Sequence, residues 1–134
     1  MAKESGLGAT VSVDDYGGTL RDISNDVTDF TINTPRAEQN VTGVDKSANE
    51  RLQLLADGTF TLNGVYNDAA NKSHAVFKDI SSTSVIRTVT IAISGQSLSM
   101  EMVLGDYNLT RSATGEFTWS VPCALADGTV PTWA

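Results

Sequence analysis

Strict alternation of apolar and polar residues narrows the fold of this chain more than any other feature. Val85, Val89, Ile91 and Ile93 hold one parity against Ile86, Thr88, Thr90 and Ala92, and Leu98, Met100, Met102 and Leu104 follow on even numbers. A period of two sends successive side chains to opposite faces of a strand, so each run offers one face to a core and one to solvent. The rhythm recurs at residues 58–66, where Phe60 and Leu62 oppose Thr59, Thr61 and Val65, and in Phe117, Trp119 and Val121, with Pro122 as the expected stop. Residues 7–13 read as a short strand ended by a turn at 14–18, and Thr28, Phe30 and Ile32 share a parity until Pro35 ends the ladder. Beyond Gly105 the apolar residues Tyr107 and Leu109 become odd, a shift that a bulge at Gly105 would produce.

One segment departs from this period. After Asn67 and Asp68, residues suited to helix N-caps, Ala69, Ser73, Val76, Phe77 and Ile80 fall on a single helical stripe. Two other segments have no period. Residues 36–50 carry few large apolar side chains and read as the centre of a long loop over 34–53, and residues 122–134 read as a C-terminal arm. Loops of such length in a compact domain tend to be functional or mobile, so this loop is the segment expected to touch a partner. The fold class is therefore mainly β, an antiparallel β-sandwich with one flanking α-helix. Leu55-Ala56-Asp57-Gly58-Thr59 recurs as Leu125-Ala126-Asp127-Gly128-Thr129, which reads as shared turn geometry rather than duplicated function.

The 134 residues suffice for one domain with a core of its own. The reading expects a chain made and kept in a cytoplasm, because the start has no apolar leader-like run and no stretch reaches the roughly 18 apolar residues of a membrane span. Cys123 stands alone and closes no internal disulfide. Nine basic against sixteen acidic residues give a formal charge of −7, which opposes gripping a phosphate backbone but suits a surface past which DNA slides.

Catalytic signatures are missing from the sequence. The single histidine, His74, lies inside the expected helix beside its apolar stripe, no Gly-x-Ser-x-Gly elbow occurs, and no Gly-Lys pair offers a phosphate cradle. Asp22, Asp26 and Asp29, with Asp14 and Asp15 upstream, match no cation loop and are read as solvated or pore-facing carboxylates. The expectation is a protein that is no enzyme and takes neither metal nor cofactor. Trp133, a large apolar group in an irregular tail, packs either on its own domain or on a neighbour.

Longer stretches resemble a known family. They include Ala2-Lys3-Glu4-Ser5-Gly6-Leu7-Gly8, Val13-Asp14-Asp15, Ile23-Ser24-Asn25-Asp26-Val27-Thr28 and Thr34-Pro35-Arg36, then Val41-Thr42-Gly43-Val44-Asp45-Lys46-Ser47-Ala48 with Glu50-Arg51-Leu52. Leu62-Asn63-Gly64-Val65-Tyr66-Asn67, Ser73-His74-Ala75-Val76-Phe77-Lys78, Ser84-Val85-Ile86-Arg87-Thr88-Val89-Thr90 and Leu125-Ala126-Asp127-Gly128-Thr129-Val130-Pro131-Thr132-Trp133 continue the series. In this order and spacing they resemble the major tail proteins, or tail tube proteins, of siphophages infecting actinobacteria. The resemblance implies a β-sandwich with a flanking helix that self-assembles into stacked rings, commonly six-fold, forming a hollow tube for DNA ejection. It further implies a homo-oligomer in the virion tail, assembled in the host cytoplasm with a tape-measure protein and tail chaperones, and bounded by tail terminator and tail tip proteins. The long loop and the two terminal arms would reach adjacent subunits, which makes Pro35, Arg36, Val41, Val44, Asp45, Lys46, Arg51, Pro131 and Trp133 contact candidates. Asp22, Asp26 and Asp29 are candidates for the lumen or for a plain solvated exterior. The alternatives are a related head-tail connector or decoration module, and a soluble ligand-binding β-sandwich.

Overall fold

The structure is a computed structural model and describes Lys3 and residues 5–134; Met1, Ala2 and Glu4, and with them the start of the expected N-terminal arm, lie outside the described residues. The described residues form ten strands: β1 (Thr10–Asp14), β2 (Leu20–Asp22), β3 (Val27–Asn33), β4 (Arg36–Asn40), β5 (Arg51–Ala56), β6 (Thr59–Val65), β7 (Arg87–Ile93), β8 (Gln96–Leu104), β9 (Asn108–Arg111) and β10 (Phe117–Leu125); the alternating segments give strands as expected, whereas β2, β4 and β5 were not read as strands. One helix, α1 (Ser73–Phe77), lies between β6 and β7. Eight strands make one antiparallel sheet in the order β2-β1-β7-β8-β10-β6-β3, with β9 on β10, while β4 and β5 pair separately.

All but the shortest strands of this sheet send alternate side chains into one core. Val11 and Val13, Val89 and Ile91, Leu98, Met100 and Met102, Trp119, Val121 and Cys123, and Phe60 and Leu62 are all buried together. A single sheet can bury one face this way only by bending over itself, so its two halves face each other as the layers of a sandwich. Val76 and Phe77 of α1 join the core, and the Phe77 ring meets Trp119 edge-on at 4.9 Å. The β7–β8 hairpin turns through Ser94 and Gly95, at φ 48° and 85°, the two left-handed positions of a type I′ turn.

Several expectations are corrected. The helix is shorter than its stripe: Asn71 is left-handed at φ 63° and Lys72 is extended, so regular turns begin only at Ser73. Asn67 caps no helix; its side-chain oxygen accepts the amide of Ala69 in a local turn. Pro122 does not end its strand, and the arm starts after Leu125. Pro122 falls where β8 has ended opposite Cys123 and β9 begins opposite Ser120, so its missing N–H faces a gap in the ladder. Four steps from Leu104 to Asn108 span three from Cys123 to Ser120, and this one extra residue produces the parity shift read as a bulge at Gly105. A second slip at Thr28 turns Val27 as well as Phe30 and Ile32 inward, so Thr28 does not share their face. The two Leu-Ala-Asp-Gly-Thr segments also differ: Gly58 is buried, whereas Gly128 is exposed at φ 77°.

Candidate assembly surfaces

The segment expected to be a loop is largely a β-hairpin. β4 and β5 pair as Arg36↔Ala56, Glu38↔Gln53, Gln39↔Leu52 and Asn40↔Arg51, so two steps on β4 match three on β5 and one extra residue bulges from β5. Partners across a ladder share a face, and this assigns the hairpin two unlike sides. Arg36, Glu38, Asn40, Arg51 and Gln53 lie on one. Gln39 and Leu52 lie on the other, and the bulge brings Leu54 and Leu55 together opposite Ala37. The three leucines are 55%, 45% and 85% exposed.

No residue of β4 or β5 belongs to the core. A solitary two-stranded ribbon is marginal in water, and this one is held at its base by the amide of Asp57 donating to Pro35 O at 2.9 Å and by Arg36 Nε donating to Leu54 O at 2.9 Å. Near the tip, Val41 N donates to Glu50 O, and the Thr42 hydroxyl accepts the amide of Glu50 at 2.8 Å. The sequence-derived contact candidates Pro35, Arg36, Val41, Val44, Asp45, Lys46 and Arg51 all lie on this projection and all are exposed. Leu52, Leu54 and Leu55 were missed as its apolar side; the doubled leucine beside a period of two was the available signal.

Three strand edges of the large sheet are open among the described residues. β2 pairs only with β1, β3 only with β6 and β9 only with β10, so β9-β10-β6-β3 is a four-stranded unit open at β3 and β9, with β8 continuing the sheet from the far end of β10. Its outward face carries Asn108 and Thr110, Thr118, Ser120, Pro122 and Ala124, Thr59, Thr61, Asn63 and Val65, and Thr31 and Asn33, so hydroxyl and amide groups predominate on it. Asp29 is its one charged residue, accepting Asn63 Nδ2 at 2.6 Å. A shallow depression of about 270 Å³ crosses this face and is lined mainly by hydroxyl and amide groups.

The three aspartates proposed for one lumen surface are separated. Asp29 lies on the hydroxyl face. Asp22 ends β2, exposed, and hydrogen bonds from the Ser24 hydroxyl and amide hold its carboxyl below the usual range. Asp26 is 2% exposed and accepts Ser73 N at 3.0 Å and Asn67 Nδ2 at 2.9 Å, so it fastens the start of α1 and does not face solvent.

The C-terminal arm lies against its own chain. Ser97 and Ala134 exchange backbone hydrogen bonds at 2.8 Å, bridging Trp133 to Leu98 on the part of β8 that β10 leaves open. Pro131 packs over Gly58 beside Met100. Trp133 keeps 44% of its surface exposed. Among the described residues no three His, Cys, Asp or Glu side chains gather as a metal site. His74 is half-buried, its Nδ1 3.2 Å from the Tyr107 hydroxyl within an aromatic cluster that includes Tyr66 and Phe77.

This bent antiparallel sheet with one flanking helix and a projecting hairpin has counterparts among solved structures. A chain from the tail of an empty gene transfer agent particle, determined by helical refinement with C6 symmetry, superposes with a TM-score of 0.79 at 14% identity, covering 98% of this chain and 99% of that one. A chain from the virion of a native gene transfer agent particle gives 0.77 at 15% identity, over 97% and 99%. No family model matches the sequence, and no curated protein matches it. The class defined here is that of mainly antiparallel β proteins with the fold of these tail-particle chains. The likeness covers 97–98% of the chain.

Proposed function

We propose that this chain is a structural subunit of a siphophage-type tail tube, located in the virion tail and without enzymatic activity. Copies join side by side into rings, the rings stack, and DNA travels through the bore without being held by sequence. The observation that carries this reading is the pair of open edges on β9-β10-β6-β3. An open edge is a template for pairing, and a ring closed through β3 and β9 uses up both of these edges. Each step from β9 to β10, β6 and β3 is antiparallel. With an even number of strands, β3 of one copy meets β9 of the next in antiparallel sense as well, so one pattern can continue around the ring.

Six copies, the symmetry of the first tail neighbour, would contribute four strands each. At about 4.8 Å between strands this gives a circumference of about 115 Å and a backbone diameter near ~37 Å before strand tilt widens it. The hydroxyl and amide face suits the bore. It has no lysine or arginine with which to displace counterions from a phosphate backbone, and Asp29 adds only repulsion. The acidic surplus elsewhere remains on solvated surfaces. A tape-measure protein, tail chaperones, a terminator and tip proteins are the partners this role requires.

Electron microscopy of the purified protein across a concentration series tests the proposal. Rings or tubes of uniform bore are expected. A monodisperse monomer at the highest concentration would exclude the tube.

A further inference from the structure

β8 outruns the strand beside it. β7 pairs with β8 from Met102 to Gln96 on one side, whereas β10 meets only Met102, Val103 and Leu104 on the other. Residues 96–101 therefore form a sheet edge that no strand covers. The run has neither proline nor lysine, and its Leu98 and Met100 are core residues. A bare edge of this kind is a template for pairing with another chain.

The C-terminal arm lies along it. Ala126 N donates to Glu101 O at 3.0 Å, after which the arm leaves and returns: four steps on β8, from Met102 to Leu98, match eight from Leu125 to Trp133. Asp127 shapes this excursion by accepting the amide and the hydroxyl of Thr129 at 3.0 and 3.1 Å, and Gly128 takes φ 77°. The arm then settles through Pro131 on Gly58 and Met100 and through the paired bonds of Ser97 and Ala134. One edge is thereby exchanged for a poorer one. The outer side of the arm is interrupted by the excursion, holds a proline with no N–H to offer, and stops at Ala134. Short length, a bulge and a proline are the devices that blunt an edge. No residue beyond Leu125 belongs to the core, so the body does not need the arm in order to pack.

We propose that residues 127–134 are an intramolecular cap, which in the free subunit keeps copies from pairing through β8 and leaves β3 and β9 as the pairing edges. β2, three residues long, offers too few groups to compete. The cap goes beyond the tube reading, because it guards the chain whatever its copies build.

A chain ending at Ala126, shown to be folded by circular dichroism and a cooperative melt, is compared with the intact protein by light scattering, thioflavin T fluorescence and electron microscopy. Irregular, dye-positive aggregates are expected at concentrations where the intact chain gives none. Ser99→Lys in the shortened chain sets a charge on the bared edge and should return it to the dispersed state. A folded shortened chain as dispersed as the intact one overturns the cap. So do aggregates that Ser99→Lys leaves unchanged, since another surface then causes them. If the shortened chain does not melt cooperatively, Trp133→Ser with Ala134→Pro unseats the arm in the full-length protein; the same aggregates are expected, and a dispersed product overturns the cap. Uniform tubes from the shortened chain, free of irregular material, would end the cap and leave the tube. An intact chain that forms no tubes, beside a shortened one that aggregates and is rescued, would end the tube and leave the cap.

Discussion

The carboxylate of Asp26 accepts the backbone amide of Ser73 at 3.0 Å, across 47 residues, and so fixes the first turn of α1 to the β2–β3 corner. The same side chain accepts Asn67 Nδ2; the Ser73 bond is buried and the Asn67 bond half-buried. Asp26→Ala leaves the buried Ser73 amide and the half-buried Asn67 amide group without their acceptor and should cost roughly 1–3 kcal/mol. Urea unfolding measures it. An unchanged midpoint would mean that the carboxylate does not tie the helix to the sheet.

Arg87 is the largest fully buried side chain, and one of its terminal nitrogens donates to the carbonyls of Val76 in α1 and Asp14 in β1. Burial lowers the pKa of its guanidinium, and nearby Asp79 opposes that shift. Replacing it with Met strands two carbonyls and leaves the half-buried Asp79 uncompensated, so the expected loss is about 3 kcal/mol or more. Adding Asp79→Asn should recover part of it. A double-mutant cycle of denaturant melts that showed strict additivity would dismiss the coupling.

Where one face was buried by the chain's own core, the sequence was readable. Val89 and Ile91, Phe60 and Leu62, and Leu98 to Met102 lie on the sides that their parity assigned, because a one-residue error would turn a whole strand to water. Arg87 shares the inward parity of Val89, but a charged residue in a core is legible only once its carbonyl partners are known. Segments that find no partner within the chain leave no such record. β4 has no buried residue, so nothing forced an alternation there, and a hairpin looked like a loop. The contact candidates placed on it came from the resemblance, whereas its leucine side depended on a bulge that spacing does not reveal. Asp26 shows the converse, since its fixed position follows from Ser73 and Asn67, far away in sequence.

Gly64 has no room for a side chain. A Cβ there would stand 2.1 Å from the carbonyl oxygen of Asp26 and 2.5 Å from Trp119 Cζ2. The first obstacle is backbone and the second is a core ring whose Nε1 donates to Val65 O at 2.7 Å, so neither yields easily. Gly64→Ala should cost at least about 2 kcal/mol, towards the upper part of the range for overpacking. Thermal unfolding checks this, and a loss below a few tenths would place β3 and β10 further from β6 than described.

Alkaline pH should loosen the fold. Burial pushes the Cys123 thiol from its ordinary 9.0 up to about 12, and burial likewise pushes the Tyr107 phenol from 10.0 to about 12, aided by Tyr66 and Asp26. Both groups keep their protons in the folded chain while the unfolded chain releases them, so the unfolded state binds fewer protons and stability falls as pH rises from about 9 to about 12. At pH 8 a thiol reagent should label Cys123 only after denaturant is added. Prompt labelling of the native protein would contradict the burial of β10 against β6 and β8.

The hairpin should be removable without loss of the body. Pro35 O and the amide of Asp57 are already hydrogen-bonded at 2.9 Å, so a two-residue Asn-Gly turn can replace residues 36–56 and close the gap between β3 and β6. The excision deletes three exposed leucines and no core residue. Stability should therefore change by less than about 1 kcal/mol, as surface changes usually do. Assembly should respond differently, because the edges of β3 and β9 survive while the projecting hairpin, which the resemblance places against adjacent subunits, is gone. Single rings are expected to remain in micrographs where the intact chain forms tubes. Tubes of normal length from the excised protein would show that stacking comes from another surface, and a body that no longer melts cooperatively would show the hairpin to be part of the folding unit.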